Sequence, residues 1–386
     1  MPWLQTDPMT ERAKFVLAVD DGAFSMTELC QRFGISRKTG YKWLHRYRQG
    51  GVAALSDRSR APNDCPHRTP DAVRAAIIAA RQARPQWGPR KLRVLLQRED
   101  PGTDWPARST IYGILKAAGL VEKRPRRRRP VHPGISPIEA DRPGAVWTAD
   151  FKGEFRLPSG AYCYPLTIQD AYSRYLIACE ALPDTCYEHV EPVFTRAFRQ
   201  HGCPMALRTD NGSPFVCSRA LGGLTRLNLG WIRLGIERQR SRPGCPQDNP
   251  RHERMHRTLK KHATRPPETT FAAQQLRFDR FRHEFNTVRP HQALGDDVPA
   301  RRFAASGRPM PDPVPAITYP GHYERRKVST TGTIRFQNRQ LFISSVLSGL
   351  YVGLVEDEID LWSLYIDRVL LARVDTTTGT VHPGSS

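Results

Sequence analysis

The chain of 386 residues predicts a multidomain fold: an all-α front, a central mixed α/β core and a small antiparallel β domain at the end. Three observations carry this. Helix-period segments fill residues 10–116; beyond residue 140 strand-like runs alternate with helical ones; beyond 322 short apolar runs are separated by turn residues. Hydrophobic residues make up 39% and charged residues 25%, so real cores can form. The totals of 28 glycines and 33 prolines are too low for a collagen-like or wholly disordered chain. No stretch approaches the roughly 20 apolar residues that span a bilayer. The start, MPWLQTDPMTERAK, lacks an apolar signal core, so a cytoplasmic protein is expected. Eight scattered cysteines form no C-x-x-C pair and read as reduced, mostly core residues.

At the front, residues 10–20 form a short helix and Thr27–Phe33 a second. Gly34 supplies a turn. Ser36 is placed to cap the basic helix Arg37–Arg48, its hydroxyl accepting an otherwise orphaned N–H. Helix, glycine turn and capped basic helix is the helix-turn-helix pattern, an ordinary helical hairpin being the bland alternative. Its leading residues Ser36, Arg37, Lys38 and Thr39 would enter a major groove. Lys42 and Arg46 would face outward, and Tyr41, Trp43, Leu44 and Tyr47 inward. The arrangement recurs more loosely. Residues 70–83 are helical, Gln86-Trp87-Gly88-Pro89 breaks the chain, Arg90–Arg98 resumes, and Arg108-Ser109 opens a further helix to Lys116. The two units divide at 60/61, the second ending at 121, and Arg90, Lys91 and Arg108 are its candidate DNA contacts.

The charge points to a polyanion. Lys and Arg number 59 against 38 Asp and Glu, a net +21. Residues 1–133 hold 26 basic and 12 acidic residues, so +14 of that excess sits in the front third. Phosphates would release counterions to such a surface. The densest run, Lys123-Arg124-Pro125-Arg126-Arg127-Arg128-Arg129-Pro130, repels itself and is bracketed by proline. It reads as an extended linker over 122–139, with Arg126, Arg127, Arg128 and Arg129 able to follow a DNA backbone.

Beyond the linker the pattern changes. Residues 146–155, 162–169 and 175–181 read as strands, the last two joined by a turn at Asp170–Ser173. A helix over 187–201, a strand at 205–209, a mobile or helical stretch, a strand at 236–239 and helices at 249–264 and 270–286 follow. This order matches a ribonuclease-H-like core over 140–300. Residues 301–321 read as a second linker, 322–376 as a small β-barrel-like domain and 377–386 as a disordered tail.

Three acids stand out within the core. Trp147, Ala149 and Phe151 alternate onto one strand face and leave Asp150 on the other, where a carboxylate is costly to bury unpaired. Asp210 follows a short strand, and strand ends in open α/β sheets collect ligands. Glu253 falls in the first turn of a helix that Asn249 caps and Pro250 opens. Arg257 and Lys260 continue its stripe at four and seven residues further on. Three carboxylates can hold two hard Mg²⁺ ions about 3.5–4 Å apart against a phosphodiester.

The segments Trp147-Thr148-Ala149-Asp150, Arg208-Thr209-Asp210-Asn211-Gly212 and Pro246-Gln247-Asp248-Asn249-Pro250-Arg251-His252-Glu253 resemble the three acidic motifs of DDE transposases. Asn286-Thr287-Val288-Arg289-Pro290-His291-Gln292-Ala293-Leu294 is similar to the segment after that family's core. The chain thus resembles bacterial insertion-sequence transposases with a retroviral-integrase-like core, over residues 10–300. The resemblance implies a ribonuclease-H-like fold, Mg²⁺ (with Mn²⁺ as a substitute) at Asp150, Asp210 and Glu253, and DNA-end contacts from Arg257 and Lys260. It also implies binding to terminal inverted repeats and target DNA, action as a homo-oligomer (dimer or tetramer) on DNA, and residence at the bacterial nucleoid. Two departures are visible. Forty-two residues separate Asp210 from Glu253, where many relatives have 35, and residues 221–235 could absorb the excess in a surface excursion. Pro250 stands where relatives often have glycine.

The same segment spells His252-Glu253-Arg254-Met255-His256, a literal H-E-x-x-H, with His262 as a potential third zinc ligand. A zinc protease is therefore one competing expectation. A DNA-binding protein without catalysis is another, since the front 130 residues would suffice for it.

Overall fold

The computed structural model describes residues 7–58, 68–121, 140–217, 220–240 and 250–384. The basic run Arg126–Arg129 and Asn249 lie outside them. Two compact units divide at Thr69/Pro70.

The first unit holds α1 (Pro8–Asp20), α2 (Met26–Arg32) and α3 (Arg37–Gly50) around Phe15, Val16, Leu29, Cys30, Trp43 and Leu55. Ser25 and Glu28 form a reciprocal capping box at α2, and the Ser36 hydroxyl accepts from Thr39 N–H at α3. Gly34 turns between them at φ +64°, a conformation that glycine adopts without steric cost. Gly40 is needed for closeness: a Cβ there would lie 2.8 Å from Cys30 Sγ and 2.9 Å from Phe15 Cζ. Tyr41 corrects the sequence reading. It is 50% exposed rather than inward, because the buried stripe runs Gly40, Trp43 and Leu44.

The second unit opens with α4 (Asp71–Ala83), α5 (Pro89–Glu99) and α6 (Arg108–Ala117), packed around Ile77, Trp87, Leu92, Trp105 and Ile111. A mixed sheet follows, made of β1 (Val146–Phe151), β2 (Phe155–Arg156), β3 (Tyr162–Asp170), β4 (Leu176–Leu182), β5 (Ala206–Thr209) and β6 (Glu237–Arg240). β1 pairs antiparallel with β3 and parallel with β5; β4 pairs with β3, and β6 lies parallel to β5 at the far edge. Helices cover both faces. α7 (Tyr187–His201) and α8 (Arg226–Arg233) bury Phe194, Phe198 and Trp231 against Trp147, Ala149 and Ile168. α9 (Pro250–Ala263) and α10 (Phe271–Thr287) bury Met255, Leu259, Phe278 and Phe281 against Leu176 and Cys179. Apart from the short β2, which splits the strand expected over 146–155, the order of elements is the one read from sequence. Residues 221–235, however, are no surface excursion: α8 sinks Leu227, Trp231 and Ile232 into the core.

After α11 (Pro299–Arg302) the chain runs without regular structure but tied to the core. Cys203 N–H donates to the Arg308 carbonyl (2.7 Å), and the Arg308 guanidinium donates to the carbonyls of Pro204 (2.9 Å) and Leu234 (2.7 Å). The final domain joins β7 (Glu324–Lys327) to β10 (Tyr351–Glu358), β11 (Leu361–Ile366), β12 (Val369–Asp375) and β13 (Thr380–Pro383) in one antiparallel sheet. A separate hairpin, β8 (Thr333–Phe336) and β9 (Arg339–Phe342), lies beside it. The expected barrel is not formed. β7 and β13 stay at opposite edges, because the hairpin's Ile334 and Phe336 and α8's Leu229 and Ile232 cover the apolar face that closure would have hidden. The expected disordered tail instead supplies β13, through residues 380–383. No helix among the described residues is long and apolar enough to cross a membrane.

Candidate active site

Strand period places the first acid. Along β1, Trp147 and Ala149 enter the α7/α8 core, so Thr148 and Asp150 face α9. The pairing of β1 with β5 holds a constant offset of 60, from Val146↔Ala206 to Thr148↔Arg208. Asp150 lies two residues beyond the last β1 residue of that pairing, and Asp210 directly follows β5, so both acids sit at the same end of these neighbouring strands. Helix period places the third. His252, Met255, His256, Leu259 and Ala263 form the buried stripe of α9, leaving Glu253, Arg257 and Lys260 exposed along its flank.

The acids share an electrostatic neighbourhood. Burial pushes the Asp150 carboxyl up to about 7, with Asp210 and then Glu253 adding to the rise and Lys152 opposing it. Burial also raises Asp210. Positive charge beside these carboxyls would favour their ionised form. Beside them Lys152 is held below its ordinary value by burial and by Lys260. Neither Lys152 nor Arg265 stands out in the sequence; only the fold brings Lys260 and Arg265 near Lys152.

The H-E-x-x-H segment does not build a three-histidine site. His252 and His256 lie with Asp150 in one cluster of potential metal ligands, while His262 packs against Phe281, 6.1 Å between ring centres. Burial drives His252 down to about 3 and holds His256 well below the ordinary histidine range, so both rings are neutral.

The basic candidates separate. Arg37, Lys38 and Lys42 are exposed on α3 beside Tyr41, whereas Thr39 and Arg46 are half-buried. Arg46, Lys42 and Arg12 lie 4.8, 5.1 and 4.0 Å from the centre of the Trp43 ring. Arg108, Arg257 and Lys260 are exposed. Arg90 is engaged internally by Asp296 at 2.8 Å. Lys91 instead lines a recess of about 220 Å³ with Arg174, Arg251, Arg254 and Arg289. Burial and the Arg289 charge lower Lys91 to about 7; burial lowers Arg289 to about 10. Crowded cations of this kind favour an anion. Arg174, Arg251 and Arg254 carried no sequence signal, because they come from separate elements or from the flank of the acidic motif.

Comparison with known proteins agrees with this architecture. Residues 140–246 and 234–299 match family models described as integrase core domains. Residues 11–63 match a helix-turn-helix domain and 39–115 a homeodomain-like domain. The chain is 27% identical over 281 residues to an uncharacterized 39.2 kDa protein of insertion element IS476 from Xanthomonas euvesicatoria, covering 72% of this chain and 78% of that one. It is 28% identical over 246 residues to an uncharacterized 31.7 kDa protein of insertion element IS407 from Burkholderia multivorans, covering 63% and 84%. Among solved structures, the HTLV-2 integrase catalytic core domain in complex with magnesium superposes with a TM-score of 0.34 at 12% identity, covering 42% of this chain and 99% of that one.

Proposed function

We propose that the chain is an insertion-sequence transposase with an integrase-like core, and that it cuts and joins DNA at the ends of its own mobile element. What supports the proposal is that Asp150 lies near the end of β1 beside the strand that Asp210 follows, with the charges of Asp210 and Glu253 adding to the effect of burial on its carboxyl. Mg²⁺ or Mn²⁺ bound there would supply Lewis-acid activation of the attacking oxygen and charge neutralisation at the leaving one. The residues fit, since hard divalent ions take carboxylate oxygens and keep waters for the substrate to replace.

The chain's own groups perform the rest. Asp150 and Asp210 present oxygens from adjacent strand ends, and Glu253 closes the group from the first turn of α9. Lys152, Lys260 and Arg257 hold phosphates beside the acids and offset charge that develops on the phosphorus oxygens. Hydrolysis breaks one phosphodiester and leaves a 3′-hydroxyl at the element's end. That hydroxyl attacks a target phosphodiester in line and displaces the target's own 3′-oxygen. No enzyme nucleophile takes part. The front helical units supply recognition of the terminal inverted repeats, with the exposed face of α3 as the groove-reading element. Two ends must be joined together, which calls for a homo-oligomer on DNA.

The test uses purified full-length protein, labelled element ends and Mg²⁺. Asp150→Asn, Asp210→Asn and Glu253→Gln are expected to bind the ends with parental affinity and leave them uncut. Normal cutting by all three variants would remove the site assignment. A parent that binds ends but never cuts them would make this a DNA-binding protein without catalysis.

A further inference from the structure

Two imidazoles stand where a three-acid site has no use for them. His252 is 0% and His256 7% exposed on the buried stripe of α9. Hydrogen bonds to two threonines tie them to the sheet. Thr148 Oγ1 lies 2.8 Å from His252 Nδ1 and 3.2 Å from the Gln169 carbonyl. Thr167 Oγ1 lies 2.7 Å from His252 Nε2, 2.7 Å from His256 Nε2 and 3.0 Å from the Asp150 carbonyl.

The protons can be counted. Each threonine hydroxyl has one and each neutral ring has one, so four protons serve these five pairs of atoms. Four arrangements use all four, differing only in where His252 and the threonines donate, and two show the range. In the first, both rings donate Nε2–H to Thr167, Thr167 donates to the Asp150 carbonyl, and Thr148 donates to His252 Nδ1. In the second, His252 donates Nδ1–H to Thr148 and Thr148 donates to the Gln169 carbonyl. Thr167 then donates to His252 Nε2, and His256 again donates Nε2–H to Thr167. His256 carries its proton on Nε2 in all four. Moving that proton to Nδ1 takes it out of the network and leaves one more pair without a hydrogen. The Nδ1 lone pair therefore faces Asp150 Oδ2 across 3.6 Å, two electron-rich atoms that call for a cation.

We propose that His256 Nδ1 is a ligand of the divalent ion held by Asp150, which makes this a mixed oxygen–nitrogen metal site. The threonine pair fixes which ring nitrogen is bare, as the partner groups of metal-bound histidines generally do. Imidazole nitrogen suits Mn²⁺ and later first-row ions better than Mg²⁺, which prefers oxygen alone. The site should therefore hold Mn²⁺ more tightly than Mg²⁺, and the margin should depend on His256. This inference rests on the reading of Asp150 as a metal-holding acid.

The test is metal binding by the full chain without DNA. Mn²⁺ is titrated by calorimetry, and the bound ion is examined by pulsed electron paramagnetic resonance for coupling to ¹⁴N. The parent should show a directly bound nitrogen. His256→Gln should lose it and weaken Mn²⁺ by about tenfold or more, with Mg²⁺ changed much less. Mn²⁺ bound without nitrogen coupling in the parent would overturn the proposal while leaving the acidic site intact. Coupling that persists in His256→Gln would overturn it in favour of His252. Unchanged Mn²⁺ affinity in Asp150→Asn would instead sink the acidic-site reading. Should His256→Gln fold poorly, His252→Gln decides: coupling that persists there assigns the nitrogen to His256, and coupling lost there overturns the proposal.

Discussion

Asp150 carries a charge that the apoprotein accommodates badly. Its carboxyl rises from an ordinary 3.8 to about 7, chiefly through burial. At 1.36 kcal/mol per pH unit this is at most about 4 kcal/mol of disfavoured charge. The sign follows from linkage. Below the unfolded value near 4 the group is protonated in both states and costs nothing. As pH rises from about 4 to 7 the unfolded chain ionises first, so folded stability is lost over that window and stays lost above it. In chelator at pH 8, Asp150→Asn should melt several degrees above the parent, at about 2–4 °C per kcal/mol. At pH 4 the two should melt together, and at pH 8 saturating Mn²⁺ should stabilise the parent and not the variant. Equal melting at pH 8 in chelator would show that the carboxylate is better solvated than its burial implies. Asp150's outward turn was legible from the alternation of Trp147 and Ala149. Its neighbour Thr167 was not, because it arrives through the pairing of β1 with β3.

Among the elements, α3 and α9 show how one helix divides its labour. In α3 the stripe Gly40, Trp43 and Leu44 meets α1 and α2, leaving Arg37, Lys38, Tyr41 and Lys42 outside. Gly40 sets the approach distance. Gly40→Val adds a branched side chain where even a Cβ is 2.8 Å from sulfur. Overpacking of this kind costs about 1–3 kcal/mol, and denaturant melts should show the first unit losing that much while the integrase-like core is unaffected. A stability equal to the parent's would mean that α3 is free to shift. In α9 the inner stripe anchors two histidines and the flank presents Glu253 with Arg257 and Lys260. The sequence displayed the motif H-E-x-x-H but not its use. Two histidines four apart share a helix face wherever they occur, and only the fold shows that this face meets Thr148, Thr167 and Asp150.

For the molecule as a whole, the helical bundle over 70–121 is fixed to the core by ion pairs. Arg84 meets Glu284 at 3.7 Å, Arg90 meets Asp296 at 2.8 Å, and Arg98 meets Asp297 at 3.8 Å. The recess lined by Lys91, Arg174 and Arg289 forms across that junction. If it takes a backbone phosphate of bound DNA, Arg174→Ala with Arg289→Ala should weaken binding to every duplex alike. The slope of log affinity against log salt should also become shallower by about 0.9 for each phosphate no longer neutralised. An unchanged slope would mean the recess holds no DNA. Arg90, an equal candidate in the sequence, should behave differently. Its removal would loosen the junction and leave the salt slope as it was.

By itself the sequence determined the kinds of the main elements and singled out three acids as candidates. Those properties are written in local periodicity, in capping residues and in the +21 charge, all of which neighbouring residues specify. Tertiary structure decided which side chains meet. The pairing of β1 with β5 puts Asp150 and Asp210 at the same end of neighbouring strands, and the seating of α9 on the sheet turns His256 toward Asp150. It also decided that the final sheet stays open, since α8 and a hairpin, and not the sheet's own edges, cover its apolar face. Contacts between residues distant in sequence depend on packing geometry, and no local pattern encodes them.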